Sequence, residues 1–236
     1  MQKKCSNNLL ILFAKAPLPG QVKTRMQPPL SAQQAVTLYW AMGRDLVAQL
    51  SGSGQYDFCV YYSPAEAREA VARWLGKGLA FYPQSSGNLG ERMATAFGET
   101  LQRYRRVVII GCDLPTLTAQ TVQQAFAALD EADVVLGPTE DGGYYLIGLK
   151  QVQPVLFQNI DWSTDAVFKQ TLARARQAGL KVSLLPCERD LDTFADLEAF
   201  WVRCQKKAAA SNHFPEGHVT KIIRELLGKP AAKPTP

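Results

Sequence analysis

Apolar residues along the chain follow two alternating patterns: short continuous runs and longer stretches with helical spacing. The continuous runs predict buried parallel strands at 9–14, 56–62, 79–82 and 107–110. Strands that are covered on both faces lack the polar alternation of half-exposed strands, so such runs favour a parallel sheet. Apolar positions three or four residues apart predict helices over 31–50, over 64–75, from about residue 88, and after Thr118.

The order of elements changes beyond Leu129. The strands predicted over 134–138 and 144–149 are joined by a linker, 139–143, that is too short for a crossover helix and typical of an antiparallel pair. The remaining elements are predicted as a helix over 163–178, a strand over 181–185, and a helix opened by Thr193 and Asp196. The sequence therefore predicts an α/β fold with a doubly wound, mostly parallel but mixed sheet. In such sheets ligands bind beyond the carboxyl ends of the strands, which directs attention to the loops there.

The composition is that of a folded globular protein, since 47% of the 236 residues are apolar and 20% are charged. No apolar run approaches the roughly 18–20 residues that a membrane helix needs, so we expect no integral membrane segment. The five cysteines are scattered and form no C-x-x-C pair. This pattern argues against a disulfide framework and a zinc site, and it favours a reducing cytoplasm as the setting.

The net positive charge lies at the end of the chain. From Arg203 onward there are seven basic and two acidic residues, whereas the preceding 202 residues carry nineteen of each. A neutral body gives no sign of a nucleic-acid-binding face, and we expect no nucleic-acid partner. We divide the chain into a body over 1–204 and a basic C-terminal helix and tail over 205–236. Apolar residues at helical spacing over 219–227 predict an amphipathic helix that packs on the body.

A basic loop follows the first predicted strand. Lys15, Lys23 and Arg25 lie within eleven residues, together with two prolines and Gly20. Cationic side chains beside a glycine that allows close backbone approach favour phosphate binding at this position. The alternative is a solvated basic turn. The loop is not a Walker A motif, because Lys15 stands where the first glycine would be and two residues separate Gly20 from Lys23.

Acidic residues follow the later strands. Asp113 comes directly after the buried strand at 107–110, and its carboxylate is a candidate ligand for Mg²⁺, although turn formation would also explain it. Asp141, in the linker after 134–138, is a candidate for acceptor binding, a second metal contact or general-base work, although Asp-Gly-Gly is by itself a strong turn signal. After the last strand, Asp192 or its neighbour Asp190 offers a second carboxylate to the ion that Asp113 holds. Basic residues early and carboxylates late predict a site for a diphosphate and a metal ion.

Five segments together resemble a bacterial family of transferases, some of whose members are described as arsenosugar-biosynthesis-type glycosyltransferases. They are FAKAPLPGQVKTR at 13–25, GNLGERM at 87–93, GCDLP at 111–115, GPTEDGGYYLIG at 137–148 and DLDT at 190–193. The resemblance covers about residues 8–204. It implies a branch of the GT-A nucleotide-diphospho-sugar transferase fold, and it extends to the guanylyltransferases of 2-phospholactate and of the molybdenum cofactor.

The resemblance implies a nucleotide site in which Lys15, Lys23 and Arg25 hold phosphates. The other positions that it implies for nucleotide contact are Ala14, Gly20, Gly87, Leu89 and Gly90. Asp113 would bind Mg²⁺ or Mn²⁺, with Asp192 as the second ligand. Together with Asp141 from the loop analysis above, Asp113 and Lys23 are the candidate catalytic residues. Asn88 departs from the family pattern, where an acidic residue is expected.

We therefore expect a metal-dependent transferase that uses a nucleotide-activated substrate and an unidentified small-molecule acceptor. Transfer of a sugar from a nucleotide diphosphate sugar is the first hypothesis. The alternative is a nucleotidyltransferase, in which a substrate phosphate attacks an NTP and releases pyrophosphate. The same metal and basic loop serve both reactions. A third hypothesis is an inactive nucleotide-binding scaffold. Neither the base nor the oligomeric state follows from the sequence.

Overall fold

The computed structural model of the chain describes residues 6–211 and 217–227. The strands are β1 (Asn8–Lys15), β2 (Asp57–Ser63), β3 (Ala80–Pro83), β4 (Arg106–Ile110), β5 (Val134–Pro138), β6 (Tyr144–Leu149) and β7 (Val182–Leu184). The helices are α1 (Ala32–Leu50), α2 (Arg68–Leu75), α3 (Leu89–Thr100), α4 (Ala119–Ala128), α5 (Val167–Gln177), α6 (Phe194–Ser211) and α7 (His218–Leu227). Residues 212–216 and 228–236, which belong to the basic tail predicted over 205–236, lie outside the described residues.

All seven strands form one sheet in the order β3-β2-β1-β4-β6-β5-β7. Strand β1 lies near the centre and pairs in parallel with β2 and β4, whereas β6 runs antiparallel to both β4 and β5. The mostly parallel, mixed sheet that the sequence predicts is therefore confirmed, as is the antiparallel β5–β6 pair. Because β1 and β4 are parallel neighbours, their carboxyl ends meet at one edge of the sheet.

Side chains of the strands alternate between two buried layers. Leu10 and Leu12 face a core shared with α1, α2 and α4, while Ile11 and Phe13 face a core shared with α3 and α5. Both faces of the central strands are thus covered, which explains the continuous apolar runs in the sequence.

The predicted helix starts are confirmed by their caps. Ser31 and Gln34 form a reciprocal capping box at the start of α1, and Asn88 forms one with Glu91 at the start of α3. Asn88 departs from the family pattern but caps its helix, because its amide oxygen accepts a hydrogen bond from the Glu91 amide at 3.0 Å.

Two elements differ from the sequence prediction. The helix predicted from residue 163 begins only at Val167, because Ser163 adopts a left-handed backbone with φ of 68° and the chain turns before the helix starts. In addition, α2 begins at Arg68 rather than at Pro64, after a short 3-10 turn over Ala65–Ala67.

The C-terminal helix α7 packs on the body, as predicted. Val219 and Ile223 are buried with residues of α1 and α6, and Asp45 on α1 accepts hydrogen bonds from the backbone amides of His218 and Val219, each at 2.9 Å. The division of the chain at residue 204 falls inside α6. None of the helices within the described residues combines the length and the apolar character needed to cross a membrane.

Candidate functional site

A cavity of about 380 Å³ opens at the edge of the sheet where β1 and β4 end. Its walls come from the loop after β1, the start of α3, the loop after β4, strand β6 and the loop before α6. The predicted site residues that line it are Ala14, Lys15, Lys23, Arg25, Leu89, Asp113 and Asp192. Residues up to 178 positions apart in the sequence thus meet at the sheet edge where the carboxyl ends of β1 and β4 lie side by side.

Lys23 joins the basic loop to the acidic residues. Its Nζ lies 2.5 Å from Asp113 Oδ1, 2.7 Å from the Leu191 carbonyl oxygen and 3.4 Å from Asp192 Oδ1. The side chain is only 2% exposed. Burial lowers the pKa of this ammonium, but the two carboxylates outweigh burial and raise the pKa above its ordinary value. Lys23 is therefore a charged group that holds Asp113 and Asp192 together.

Backbone hydrogen bonds explain why the two acidic loops meet. The Leu191 amide donates to the Asp113 carbonyl oxygen at 2.8 Å, and the Leu191 carbonyl in turn accepts from Lys23. The next residue, Asp192, accepts a hydrogen bond from Arg25 at 2.8 Å between Oδ2 and the guanidinium. Arg25 is itself 63% exposed, so its remaining donors face the solvent.

Lys15 ends strand β1 beside a buried tyrosine. The Lys15 amide donates to the Tyr39 hydroxyl oxygen at 3.1 Å. Burial, with the nearby Cys112 and Asp113, raises the pKa of Tyr39 well above its usual value, so the hydroxyl stays protonated. Within the described residues the Lys15 ammonium has no ion-pair partner, and it is exposed to the cavity mouth. Lys15 is thus a cation available to an anionic ligand.

Asp190, in the loop before α6, lies close to the other carboxylates at this edge of the sheet. The pKa of Asp190 is raised to about 6, first by burial and then by neighbouring carboxylates. Those carboxylates are, in order of effect, Asp141, Asp113 and Asp192. Because burial is the largest cause, the raised pKa marks Asp190 as a half-buried carboxyl close to other carboxylates.

Asp141 lies beside this acidic group but does not line the cavity in the part of the chain that the structure describes. Its Oδ1 accepts hydrogen bonds from the Thr139 hydroxyl at 2.6 Å and the Gly143 amide at 3.1 Å. These bonds close the turn between β5 and β6. The geometry gives Asp141 a role in forming the turn, and its catalytic role stays a prediction.

Three predicted glycines lie away from the cavity walls, again among the described residues. Gly20 and Gly87 have φ values of +75° and +100°, which only glycine adopts at little cost. Gly90 is buried against the indole of Trp162, and a Cβ added there would lie 2.4 Å from the Trp162 ring. These glycines shape the loops and the start of α3, and direct contact with a nucleotide stays a prediction.

Several residues that line the cavity come from elements far from the basic loop and were not predicted from the sequence. Tyr39, Gln84 and Arg92 all line the cavity. Arg92 donates to the Gly87 carbonyl oxygen at 2.9 Å and to Gln84 Oε1 at 3.3 Å, which fixes the loop before α3. Arg92 lies within the 87–93 segment, and its charge inside that motif is the signal that could have identified it.

The donor set fits a hard divalent cation. Within 6–211 and 217–227, no group of three or more His, Cys, Asp and Glu side chains is arranged to hold a metal ion alone. The Asp113 side chain is nevertheless 49% exposed where it lines the cavity, and the same Lys23 ammonium contacts both Asp113 and Asp192. One or two carboxylates are what Mg²⁺ usually takes from a protein when substrate phosphates complete its shell.

The sheet order and the cavity at the ends of β1 and β4 define a fold like that of nucleotide-diphospho-sugar transferases. The model of a bacterial family described as "Uncharacterized protein conserved in bacteria (DUF2064)" matches residues 46–164, half of the chain. The chain belongs to this family. The arsenosugar-biosynthesis label stays a prediction, because the comparisons support the broader family and not that branch.

Three similar proteins cover most of the chain. A crystal structure from Desulfovibrio desulfuricans G20, provisionally described as a nucleotide-diphospho-sugar transferase, is 32% identical, with a TM-score of 0.86 over 94% of this chain and 96% of that one. The 3-phospho-D-glycerate guanylyltransferase of Phenylobacterium zucineum is 29% identical over 76% of this chain and 92% of its own length. The phosphoenolpyruvate guanylyltransferase of Sphaerobacter thermophilus is 28% identical over 75% and 84%. These relatives confirm the prediction of a nucleotide-using transferase and leave its type open.

Proposed function

We propose that this protein is a nucleotidyltransferase that moves a nucleoside monophosphate from an NTP to the phosphate of a small acceptor. The observation that carries the proposal is the Lys23–Asp113 contact of 2.5 Å, which joins a basic loop to an acidic one at the mouth of the cavity. The two guanylyltransferase relatives support this reaction over sugar transfer, which was the first hypothesis from the sequence. They also support guanine as the base and a phosphorylated carboxylic acid as the acceptor.

The proposed reaction needs charge stabilisation more than proton transfer. An oxygen of the acceptor phosphate attacks the α-phosphorus of the NTP, and the bond to the bridging oxygen breaks, so that pyrophosphate leaves with the electron pair. Lys15 and the exposed donors of Arg25 stabilise negative charge on the phosphates, since fixed cations in a partly closed cavity need no reorganisation as the charge develops. Lys23 fixes the position of the Asp113 carboxylate through the contact between Lys23 Nζ and Asp113 Oδ1.

The acidic residues supply the ligands for the divalent cation. Asp113 and Asp192 would hold Mg²⁺ or Mn²⁺, which would neutralise phosphate charge when bound. The apolar wall of the cavity, with Phe13, Met93 and the 40% exposed Leu89, supplies surface for the base. Binding a planar base there orients the triphosphate toward Lys15 and Arg25.

A product assay tests the proposal. The full chain is incubated with each common NTP and Mg²⁺, with 3-phospho-D-glycerate or phosphoenolpyruvate as the acceptor, and pyrophosphate is measured together with the nucleotidylated product by mass spectrometry. We expect equal amounts of both with one NTP, and neither with Asp113→Asn. An enzyme that forms no pyrophosphate from any pair, yet releases a nucleoside diphosphate from a nucleotide sugar, would refute nucleotidyl transfer.

Sugar transfer is the second candidate. The Desulfovibrio desulfuricans structure, at 32% identity, favours it through its description as a nucleotide-diphospho-sugar transferase. The same basic loop and carboxylates would then act on a departing nucleoside diphosphate. Release of that diphosphate, in the assay above, distinguishes this candidate from the first.

A further inference from the structure

We propose that the Lys23 ammonium is the internal counter-ion of the Asp113 and Asp192 carboxylates, and that it keeps a divalent cation from binding there until a nucleotide brings the ion. Metal and nucleotide then bind together rather than metal first. This inference rests on the proposed function, because it concerns the same carboxylates and the same phosphates.

The contacts of Lys23 use the full capacity of its ammonium. Three protons are available for donation, and three oxygen atoms lie around Nζ: Asp113 Oδ1 at 2.5 Å, the Leu191 carbonyl at 2.7 Å and Asp192 Oδ1 at 3.4 Å. No donor is left for a phosphate in this arrangement. The phosphate contact that the sequence predicts for Lys23 therefore requires the ammonium to exchange at least one of these partners.

The same carboxylates are the metal ligands, and each already has a cation. Lys23 contacts both Asp113 and Asp192, and Arg25 contacts the second oxygen of Asp192 at 2.8 Å. A divalent ion that entered alone would add its charge a few ångströms from the buried ammonium, where water screens the repulsion poorly. A nucleotide triphosphate removes that penalty, because its negative charge faces the ion, Lys23 and Arg25 at once.

The backbone of Lys23 shows that these contacts are specifically built. Its φ of 50° and ψ of 38° place it in the left-handed region, which residues with a Cβ seldom adopt. The conformation is found at the start of the short turn Thr24–Met26, where it directs the side chain inward to a position that is only 2% exposed. The Lys23 side chain is therefore held in place by Asp113, Asp192 and the Leu191 carbonyl. For a metal ion to bind the two carboxylates, the ammonium would have to move away from at least one of them.

Manganese binding tests the inference without any turnover. Free Mn²⁺ is measured by electron paramagnetic resonance in titrations of the full chain with Mn²⁺ alone and with Mn²⁺ plus GTP, the latter corrected by a protein-free titration for the Mn²⁺ that GTP itself binds. We expect the wild type to bind Mn²⁺ alone weakly and at least about tenfold more tightly with GTP. Lys23→Met, which keeps the length but removes the charge, is expected to bind Mn²⁺ alone about tenfold more tightly than the wild type.

Two further variants locate the ion and control for charge. Lys150→Met removes a lysine that pairs with Asp133, away from the cavity, and is expected to leave Mn²⁺ binding unchanged. Adding Asp113→Asn to Lys23→Met is expected to abolish the gain in Mn²⁺ affinity that Lys23→Met shows alone. Circular dichroism checks that each variant is folded, and Lys23→Gln replaces Lys23→Met if the latter is not.

Each result of this experiment supports or overturns the inference. Equal Mn²⁺ affinity in the wild type and the neutral variants overturns it, as does a gain that persists in the double variant. Failure of the proposed function is recognised separately. If Lys23→Met gains Mn²⁺ affinity while the wild type forms no pyrophosphate, the counter-ion role stands and nucleotidyl transfer fails. If the wild type forms pyrophosphate while Lys23→Met shows unchanged Mn²⁺ affinity, nucleotidyl transfer stands and the counter-ion role fails.

Discussion

The Lys23–Asp113 pair makes a quantitative prediction about stability. Asp113→Asn keeps an oxygen acceptor near Lys23 but removes the negative charge that lies 2.5 Å from a buried ammonium. A hydrogen bond between charged groups contributes about 1.5–3 kcal/mol. Because the Asp113 side chain is 49% exposed, water screens the pair, and Asp192 remains as a second counter-charge at 3.4 Å. We therefore expect Asp113→Asn to lower the free energy of unfolding by an amount at the low end of this range, about 1.5–2 kcal/mol.

Urea unfolding followed by circular dichroism measures this loss. For a protein of this size it corresponds to a fall in Tm of roughly 3–8 °C. Asp130→Asn is the matched control, since Asp130 pairs with Arg106 at 2.8 Å but on the surface, with 57% of its side chain exposed. That variant should lose less than about 1 kcal/mol. If Asp113→Asn loses no more than Asp130→Asn, the buried pair does not organise the site and the reasoning is wrong.

Three further predictions concern ligand binding, packing and pH. Lys15→Met should weaken calorimetric binding of nucleoside triphosphates about tenfold and that of nucleosides little, because only the phosphates meet its free charge. Gly90→Ala should lower the free energy of unfolding by about 1–3 kcal/mol, because the new Cβ would lie 2.4 Å from the Trp162 ring. Partial burial raises the pKa of Asp196, but hydrogen bonds from Thr193 and Arg189 outweigh it and lower the pKa below 3.8. Asp196→Asn should therefore cost about 1 kcal/mol above about pH 5, with the difference from wild type vanishing as pH falls through the lowered native pKa.

Each of these predictions has a clear contrary result. If Lys15→Met loses as much affinity for nucleosides as for nucleoside triphosphates, the substitution has damaged the fold rather than removed a phosphate contact. Gly98→Ala is the control for Gly90→Ala, because it lies on the same helix with no atom within 4 Å of the added Cβ, and it should be neutral or stabilising. A stability difference for Asp196→Asn that stays constant down to about pH 2 would show that its carboxylate charge contributes nothing.

The sequence predicted the sheet well because the pattern of burial is local to each strand. The runs that became β1 and β4 are apolar throughout, since helices cover both faces, and the caps at Ser31 and Asn88 act within three residues of themselves. The late start of α5 was not predictable in the same way. Its cause is the left-handed turn at Ser163, and a left-handed serine has no signal in the sequence.

The candidate site was predicted in part for a similar reason. Residues directly after parallel strands reach one edge of the sheet by topology alone, so Lys15 and Asp113 were predictable. The partner of Lys23 was not, because the ion pair depends on the Leu191 backbone that draws the loop before α6 onto Asp113. Gly90 has a structural role that the sequence did not predict, because the missing Cβ allows close packing of Trp162, and its contact with a nucleotide stays a prediction.

The most direct test of the account is a crystal structure of the full chain with Mn²⁺ and a nucleoside triphosphate, with the metal located by its anomalous scattering. We predict an anomalous peak within coordination distance of the Asp113 carboxylate, with the phosphates lying along Lys15 and Arg25. A triphosphate bound elsewhere, or a metal on the far side of the sheet, would contradict the central claim that these early cations and late carboxylates bind one substrate.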